Sequence, residues 1–200
     1  LAFTLVHANG KNIVKVNKEF IDCIKHHEGV RYKPYRCSAA LWTIGVGHVL
    51  YPDQAKLPST PEGMAARKAY QLKPQDDRTW SKEEVDAILA KDVERFERGV
   101  ERLLPIKLSQ NEFNALVSWS FNAGLGALQK STVRQALLRG DKITAMSVFL
   151  DYCKAGGQVV RGLETRRKDE CTLFFRGSEM PEIIRKKIAA PSRAPAKKKR

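Results

Sequence analysis

His27-Glu28-Gly29-Val30-Arg31-Tyr32, running on through Cys37 to Trp42-Thr43-Ile44-Gly45-Val46-Gly47-His48, is the stretch whose reading decides the fold. Upstream of it Asn17 reads as an N-cap, and Phe20, Ile21 and Ile24 fall on one helical face. Gly29 supplies the C′ stop, so Glu28 is the last residue of a helix. Downstream, the strand formers Tyr32, Tyr35, Trp42, Thr43, Ile44 and Val46, punctuated by Pro34, Gly45 and Gly47, predict a small antiparallel sheet or hairpin. The stretch thus places a carboxyl group at a helix end and returns a thiol and a hydroxyl on a compact Gly-rich turn able to face it.

The rest of the chain reads as helical. Ser81-Lys82-Glu83-Glu84 is a capping box opening a periodic helix through Val85, Ile88, Leu89, Val93, Phe96, Val100 and Leu103, closed by Pro105. Ser109-Gln110-Asn111-Glu112 is a second box, leading to Phe113, Leu116, Val117 and Phe121 and a stop near Gly124. Further helices are predicted from Thr132 to Arg139, Lys142 to Tyr152 and about Glu164 to Phe175. Between Tyr51 and Trp80, Pro52, Pro58, Pro61, Gly63 and Pro74 break the pattern, which predicts a long loop or weakly helical insertion. The fold class expected is α+β: a small N-terminal β-sheet lobe and a larger helical lobe joined by a long helix.

Three segments follow: an arm at 1–16, a globular domain at 17–177 and a basic tail at 178–200 expected to be disordered. Residues 181–200 carry eight Lys or Arg against one Glu, half of the net charge of +14. Such a tail attracts polyanions regardless of shape. The arm Leu1-Ala2-Phe3-Thr4-Leu5-Val6-His7-Ala8 ends in Val-x-Ala, like a secretory cleavage site, but reads first as an ordinary apolar arm. No apolar run of about 18 residues is present. Cys23, Cys37, Cys153 and Cys171 show neither a C-x-x-C pair nor Cys/His metal spacing, so no zinc site or other cofactor is expected.

Chemistry enters with Glu28. A carboxyl at a helix C-terminus meets the negative end of the dipole, which favours the neutral acid, the form a general acid for glycoside cleavage needs. Taken alone, a Glu ending a helix carries little information. Its neighbours add more. Glu28, eight residues, Cys37, five residues, Thr43, then Ile44-Gly45-Val46-Gly47-His48 resembles the catalytic signature of the phage-type lysozymes, the endolysins of glycoside hydrolase family 24. Leu108 to Ser118 with Phe121-Asn122-Ala123-Gly124 is similar to that family's central helix. Ala155-Gly156-Gly157, Gly162-Leu163 and Arg166 to Glu170 are similar to its closing segment.

The resemblance implies a muramidase that cuts the β-1,4 bond between N-acetylmuramic acid and N-acetylglucosamine in peptidoglycan, with inversion. It implies Glu28 as general acid, Thr43 as a holder of the attacking water, and Cys37 in the place where many members have Asp. A free thiol is mostly neutral at pH 7, so Cys37 stands open as thiolate, neutral water-positioner or covalent nucleophile, with Arg31 and Arg36 as candidate charges beside it. Gly47, Val49, Phe121, Asn122 and Ser131 are implied as cleft-lining residues. His48 is implied to pair with Asp92, and Arg166, or its neighbour Arg167, to approach Glu28. A disulfide from Cys23 to Cys37, of the kind that holds some members inactive, is a further implication.

A lytic transglycosylase acting on the same bond is an alternative, and a basic nucleic-acid-binding module a distant one. The expected partners are peptidoglycan and, through the tail, anionic envelope polymers or a membrane surface. Monomer is the default, and the expected site of action is the periplasm or cell wall.

Overall fold

The computed structural model describes residues 5–6, 12–13 and 15–195. The first eight residues, apart from the backbone of Leu5–Val6, lie outside the described residues, as do 196–200 and the side chain of Cys23. Strands β1 (Leu5–Val6) and β2 (Asn12–Ile13) pair antiparallel, Leu5 opposite Ile13. Helix α1 (Lys18–Glu28) follows, its Asn17 cap accepting the Phe20 N–H at 3.0 Å. Gly29, at φ +73°, closes it by donating to the Lys25 carbonyl at 2.9 Å. The full burial of Ile24 contributes about 2 kcal/mol.

The chain divides into two compact units, Ile21–Arg95 and Leu1–Phe20 with Phe96–Arg200. In the first, β3 (Arg31–Arg36), β4 (Trp42–Gly45) and β5 (His48–Val49) form an antiparallel sheet in that order. Tyr35 lies opposite Thr43 and Thr43 opposite Val49. The β3–β4 register shifts between Arg31 and Tyr35, around Pro34, which cannot donate to a ladder. Thr43 therefore sits in the middle strand and not on the Gly-rich turn, which is Gly45 to Gly47. Gly45 has φ +63°, and a Cβ there would come within 3.0 Å of Val85 Cγ1, so the close approach also calls for glycine.

Residues 51–80 hold more structure than their proline-rich sequence suggested: α2 (Pro52–Lys56) and α3 (Pro61–Ala69). Thr60 caps α3 by accepting the Gly63 N–H at 3.2 Å, with Pro61 in its first turn. Tyr51 stacks on Tyr70 and donates to Asp76, and the Trp80 N–H returns to the Tyr32 carbonyl. The segment is thus a folded insert tied back to the sheet.

Helix α4 (Lys82–Leu103) opens on the predicted box, Ser81 and Glu84 exchanging bonds of 2.7 and 3.1 Å. Its residues from Phe96 onward belong to the second unit. There α5 (Gln110–Ala123), boxed by Ser109 and Glu112, is buried from Glu112 to Ser120, as an axial helix must be. Around it come α6 (Leu125–Lys130), α7 (Thr132–Leu138), α8 (Lys142–Phe149), the hairpin β6 (Lys154–Ala155) and β7 (Gln158–Val159), and α9 (Arg161–Phe174). Trp119, fully buried, meets the rings of Phe149 and Tyr152.

The expected disorder from 178 onward is corrected as far as residue 195. Helix α10 (Glu182–Ala189) buries Ile184. Beyond it Arg193 donates to Glu164 and Asp151, at 3.3 and 2.7 Å, and to the Leu150 carbonyl at 3.0 Å. Electrostatic anchoring replaces the apolar burial that this segment lacks.

Candidate active site

Glu28 closes α1 and is exposed. The Tyr35 phenol is pushed up by burial and, beyond the opposing pull of Arg31, by the negative groups of Cys37 and Glu28, which places all three within electrostatic reach. The Arg31 guanidinium lies over the Tyr35 ring, 4.4 Å from its centroid.

Cys37 follows β3 in a turn closed by two backbone bonds, from its N–H to the Leu41 carbonyl at 3.0 Å and from the Ala40 N–H to its carbonyl at 2.9 Å. It is a half-buried, free thiol. Burial pushes its pKa up, but the N–H groups of Leu41 and Ala39 and the Thr43 hydroxyl, all able to donate to sulfur, outweigh this and leave it below the ordinary thiol value. Neither Arg31 nor Arg36 supplies that effect. Arg31 lies on Tyr35, and Arg36 lies over the Trp42 ring at 4.2 Å and donates to backbone carbonyls. The Thr43 hydroxyl, itself buried, is also 3.0 Å from the Leu41 carbonyl. It can turn its one proton to that oxygen or to the sulfur.

On the rest of this unit, His48 Nδ1 lies 2.8 Å from Asp92 Oδ2 on α4. Gly47, at φ +81°, is exposed, and Val49 is half-buried on β5.

The remaining candidates belong to the helical unit. Phe121, half-buried, meets the ring of Phe96 at 5.2 Å. Asn122, exposed, accepts from Arg167 at 3.1 Å. Ser131 is buried, and its hydroxyl caps α7, accepting from the Arg134 N–H at 3.0 Å and donating to the Leu128 carbonyl at 2.8 Å. Arg166 and Arg167 both reach Glu170, at 3.0 and 2.9 Å, with Ser118 donating at 2.5 Å. Burial pushes Glu170 upward against the pull of the two guanidinium groups.

The sequence model described as Phage lysozyme matches residues 25–170, nearly three-quarters of the chain. The chain belongs to the phage lysozyme family. It is 34% identical over 169 residues to the endolysin of Bacillus phage B103, covering 82% of this chain but only 55% of that relative. The endolysin of Salmonella phage P22 is 30% identical over 157 residues, covering 78% of this chain and 96% of the relative. Among solved structures, the muramidase domain of SpmX from Asticaccaulis excentricus aligns at a TM-score of 0.63 and 26% identity, over 80% of this chain and 97% of that one. The fold of this phage lysozyme is accordingly lysozyme-like, a small antiparallel sheet with a mostly helical remainder.

Sequence reasoning missed Tyr35 as a neighbour of the acid and the thiol, since a strand-forming Tyr signals only a strand. It also missed Gln54 and Arg67, whose side chains reach back to the Cys37 turn. The one available cue was two long polar residues in an insert with no apolar periodicity.

Proposed function

We propose that this phage lysozyme is a muramidase of the endolysin kind, hydrolysing the β-1,4 bond between N-acetylmuramic acid and N-acetylglucosamine in bacterial peptidoglycan to lyse the host. The observation that carries this reading is the grouping of Glu28, Tyr35 and Cys37 within electrostatic reach, with the Thr43 hydroxyl beside the sulfur. Glu28 is the general acid that protonates the departing glycosidic oxygen. Cys37, whose thiolate is favoured by its donors, takes the proton of the attacking water, which Thr43 helps to hold.

Gly47, Val49, Phe121 and Asn122 are the residues we assign to sugar binding. Ser131 sets the start of α7 as its cap. His48 and Asp92 brace β5 against α4, and Arg166 and Arg167 hold Glu170 on α9. The enzyme acts as a monomer on the wall, in the periplasm or cell wall of the infected bacterium. The basic residues 197–200 draw it to anionic envelope polymers or a membrane surface.

Digestion of purified peptidoglycan, with the new ends identified by mass spectrometry, tests the reading. Hydrated muramic ends are expected. Anhydro-muramic ends would mark a lytic transglycosylase instead, and an undegraded wall would refute the enzyme reading. For the tail, removal of residues 196–200 is expected to leave digestion of purified wall unchanged and weaken action on whole cells. Equal whole-cell activity would remove that role. Stopping at residue 195 matters, because a shorter chain would also lose the Arg193 anchor.

A further inference from the structure

We propose that Arg36, Gln54 and Arg67 are positioning residues: they clamp the Ala39–Leu41 backbone so that its N–H groups form a fixed nest for the Cys37 sulfur. The insert at 51–80 thereby tunes the thiol. The inference rests on the reading of Cys37 as functional, and it deepens that reading.

The geometry starts from single peptide groups. The carbonyl of Ala40 and the N–H of Leu41 belong to the same peptide. The carbonyl accepts from Arg36 Nη1 at 2.8 Å and from Gln54 Nε2 at 3.0 Å, while the N–H is among the donors that lower the Cys37 pKa, in a turn whose Cys37 N–H bonds the Leu41 carbonyl at 3.0 Å. A cation on the oxygen polarises the whole unit and strengthens its N–H as a donor. The next peptide upstream is held at both ends as well. Its Ala39 carbonyl accepts from Arg67 Nη1 at 3.3 Å, and its Ala40 N–H donates to the Cys37 carbonyl at 2.9 Å. Between these two peptides stands Ala40 at φ +59°, among the described residues the one non-glycine in the left-handed region. Such a conformation persists where surrounding bonds over-determine it.

The clamp itself has little freedom. Gln54 is fully buried; its oxygen accepts the Trp42 N–H at 2.9 Å, and its amide group donates to the Ala40 and Arg67 carbonyls. Arg67, also buried, donates to the Leu57 carbonyl in addition to Ala39. Arg36 lies over the Trp42 ring and donates to the carbonyls of Arg67, Lys68 and Tyr70, so one guanidinium caps the C-terminus of α3 and polarises the Ala40–Leu41 peptide. The titratable or charged groups that bear on the sulfur within this unit are the Tyr35 phenol on β3, Glu28 on α1 by way of Tyr35, and Arg31 over the Tyr35 ring. Thr43 on β4 adds a neutral donor. Gln54 and Arg67 act through the backbone of Ala39, Ala40 and Trp42, so both can be altered while Tyr35, Glu28, Arg31 and Thr43 are kept.

The test is the pH profile of Cys37 alkylation by iodoacetamide in the whole protein, read on the Cys37 peptide by mass spectrometry for the native chain, Gln54→Leu and Arg36→Lys. Melting curves identify the folded variants, and wall digestion is followed in parallel. The native midpoint is expected below the ordinary thiol value of about 8.5. Gln54→Leu is expected to move it upward, lowering the rate at neutral pH about three- to tenfold. Arg36→Lys keeps the charge but loses the fork, and is expected to lower the rate about two- to threefold. Arg36→Lys also keeps the proposal falsifiable if Gln54→Leu fails to fold. Superimposable profiles in folded variants would overturn the clamp, even if wall digestion fell. Shifted profiles with undiminished digestion would uphold the clamp and remove Cys37 from the reaction.

Discussion

At the Cys37 turn the pKa of a half-buried thiol is lowered by three backbone N–H groups, those of Leu41, Ala39 and Cys37 itself, and by the Thr43 hydroxyl. On α9 the Glu170 carboxyl, only 2% exposed, is met by two guanidinium groups and a hydroxyl. The first arrangement uses dipoles and leaves the group within reach of solvent. The second uses full charges and shuts the group away. Dipoles adjust a thiol's proton affinity while leaving it reactive, whereas a sealed ion cluster fixes two helices by making every partner costly to remove. The difference separates a group within reach of solvent from one sealed away: on the proposed reading Cys37 reacts and Glu170 holds.

The sharpest way to break this contrast is Glu170→Ala. It strands two buried guanidinium groups and is expected to cost about 3 to 5 kcal/mol, read as a large fall in melting temperature. A loss below about 1 kcal/mol would mean that the cluster is no scaffold.

Next in size is acid sensitivity from Glu164, whose side chain is 4% exposed. Burial raises its pKa, but the Arg193 N–H, the Ser192 hydroxyl and the Arg193 guanidinium outweigh this and hold it at about 2, against 4.5 for an ordinary Glu. A depressed carboxyl stabilises the fold fully above the unfolded value and loses that contribution as pH falls toward the folded one. Roughly 2 to 3 kcal/mol is therefore expected to disappear between about pH 5 and pH 2. Arg193→Ala is expected to remove about half of it, so the melting temperatures of the two proteins should converge in acid.

Smaller still is Asp92→Asn. The His48–Asp92 pair is part exposed, and about 0.5 to 1 kcal/mol is expected from urea melts. Cys37→Ser is expected to change stability least, by less than about 1 kcal/mol, while wall digestion falls steeply. A stability loss matching Glu170→Ala would erase the distinction between the two regions.

How much of this was legible in the sequence follows the range of the interactions involved. Asn17, Ser81 and Ser109 act within three residues, so their caps, and with them α1, α4 and α5, could be read directly. The end of α1 at Glu28 was equally legible, because Gly29 serves as a local stop. The insert at 51–80 was not. Its order comes from Gln54, Arg67 and Arg36 reaching carbonyls up to 34 residues away, which no periodicity announces. Ala40 gave no cue either, since alanine has no preference for the left-handed region that it occupies. Beyond 178 the sequence allowed a brief helix through Ile183, Ile184 and Ile188 but offered nothing to bury past Ala190, so disorder was expected. The segment folds on one buried Ile184 and an ion pair between Arg193 and Glu164, 29 residues apart. Gly156-Gly157 is the turn of the β6–β7 hairpin, with both φ positive at 56° and 79°, and its two-residue strands are too short to show a period in the sequence.

The most direct measurement for the central claim is the initial rate of purified peptidoglycan digestion by the native protein, Glu28→Gln and Cys37→Ser under reducing conditions. The account predicts that Glu28→Gln loses about a hundredfold to ten-thousandfold and that Cys37→Ser also falls by at least about tenfold, both remaining folded. Native-like digestion by folded Glu28→Gln would contradict it.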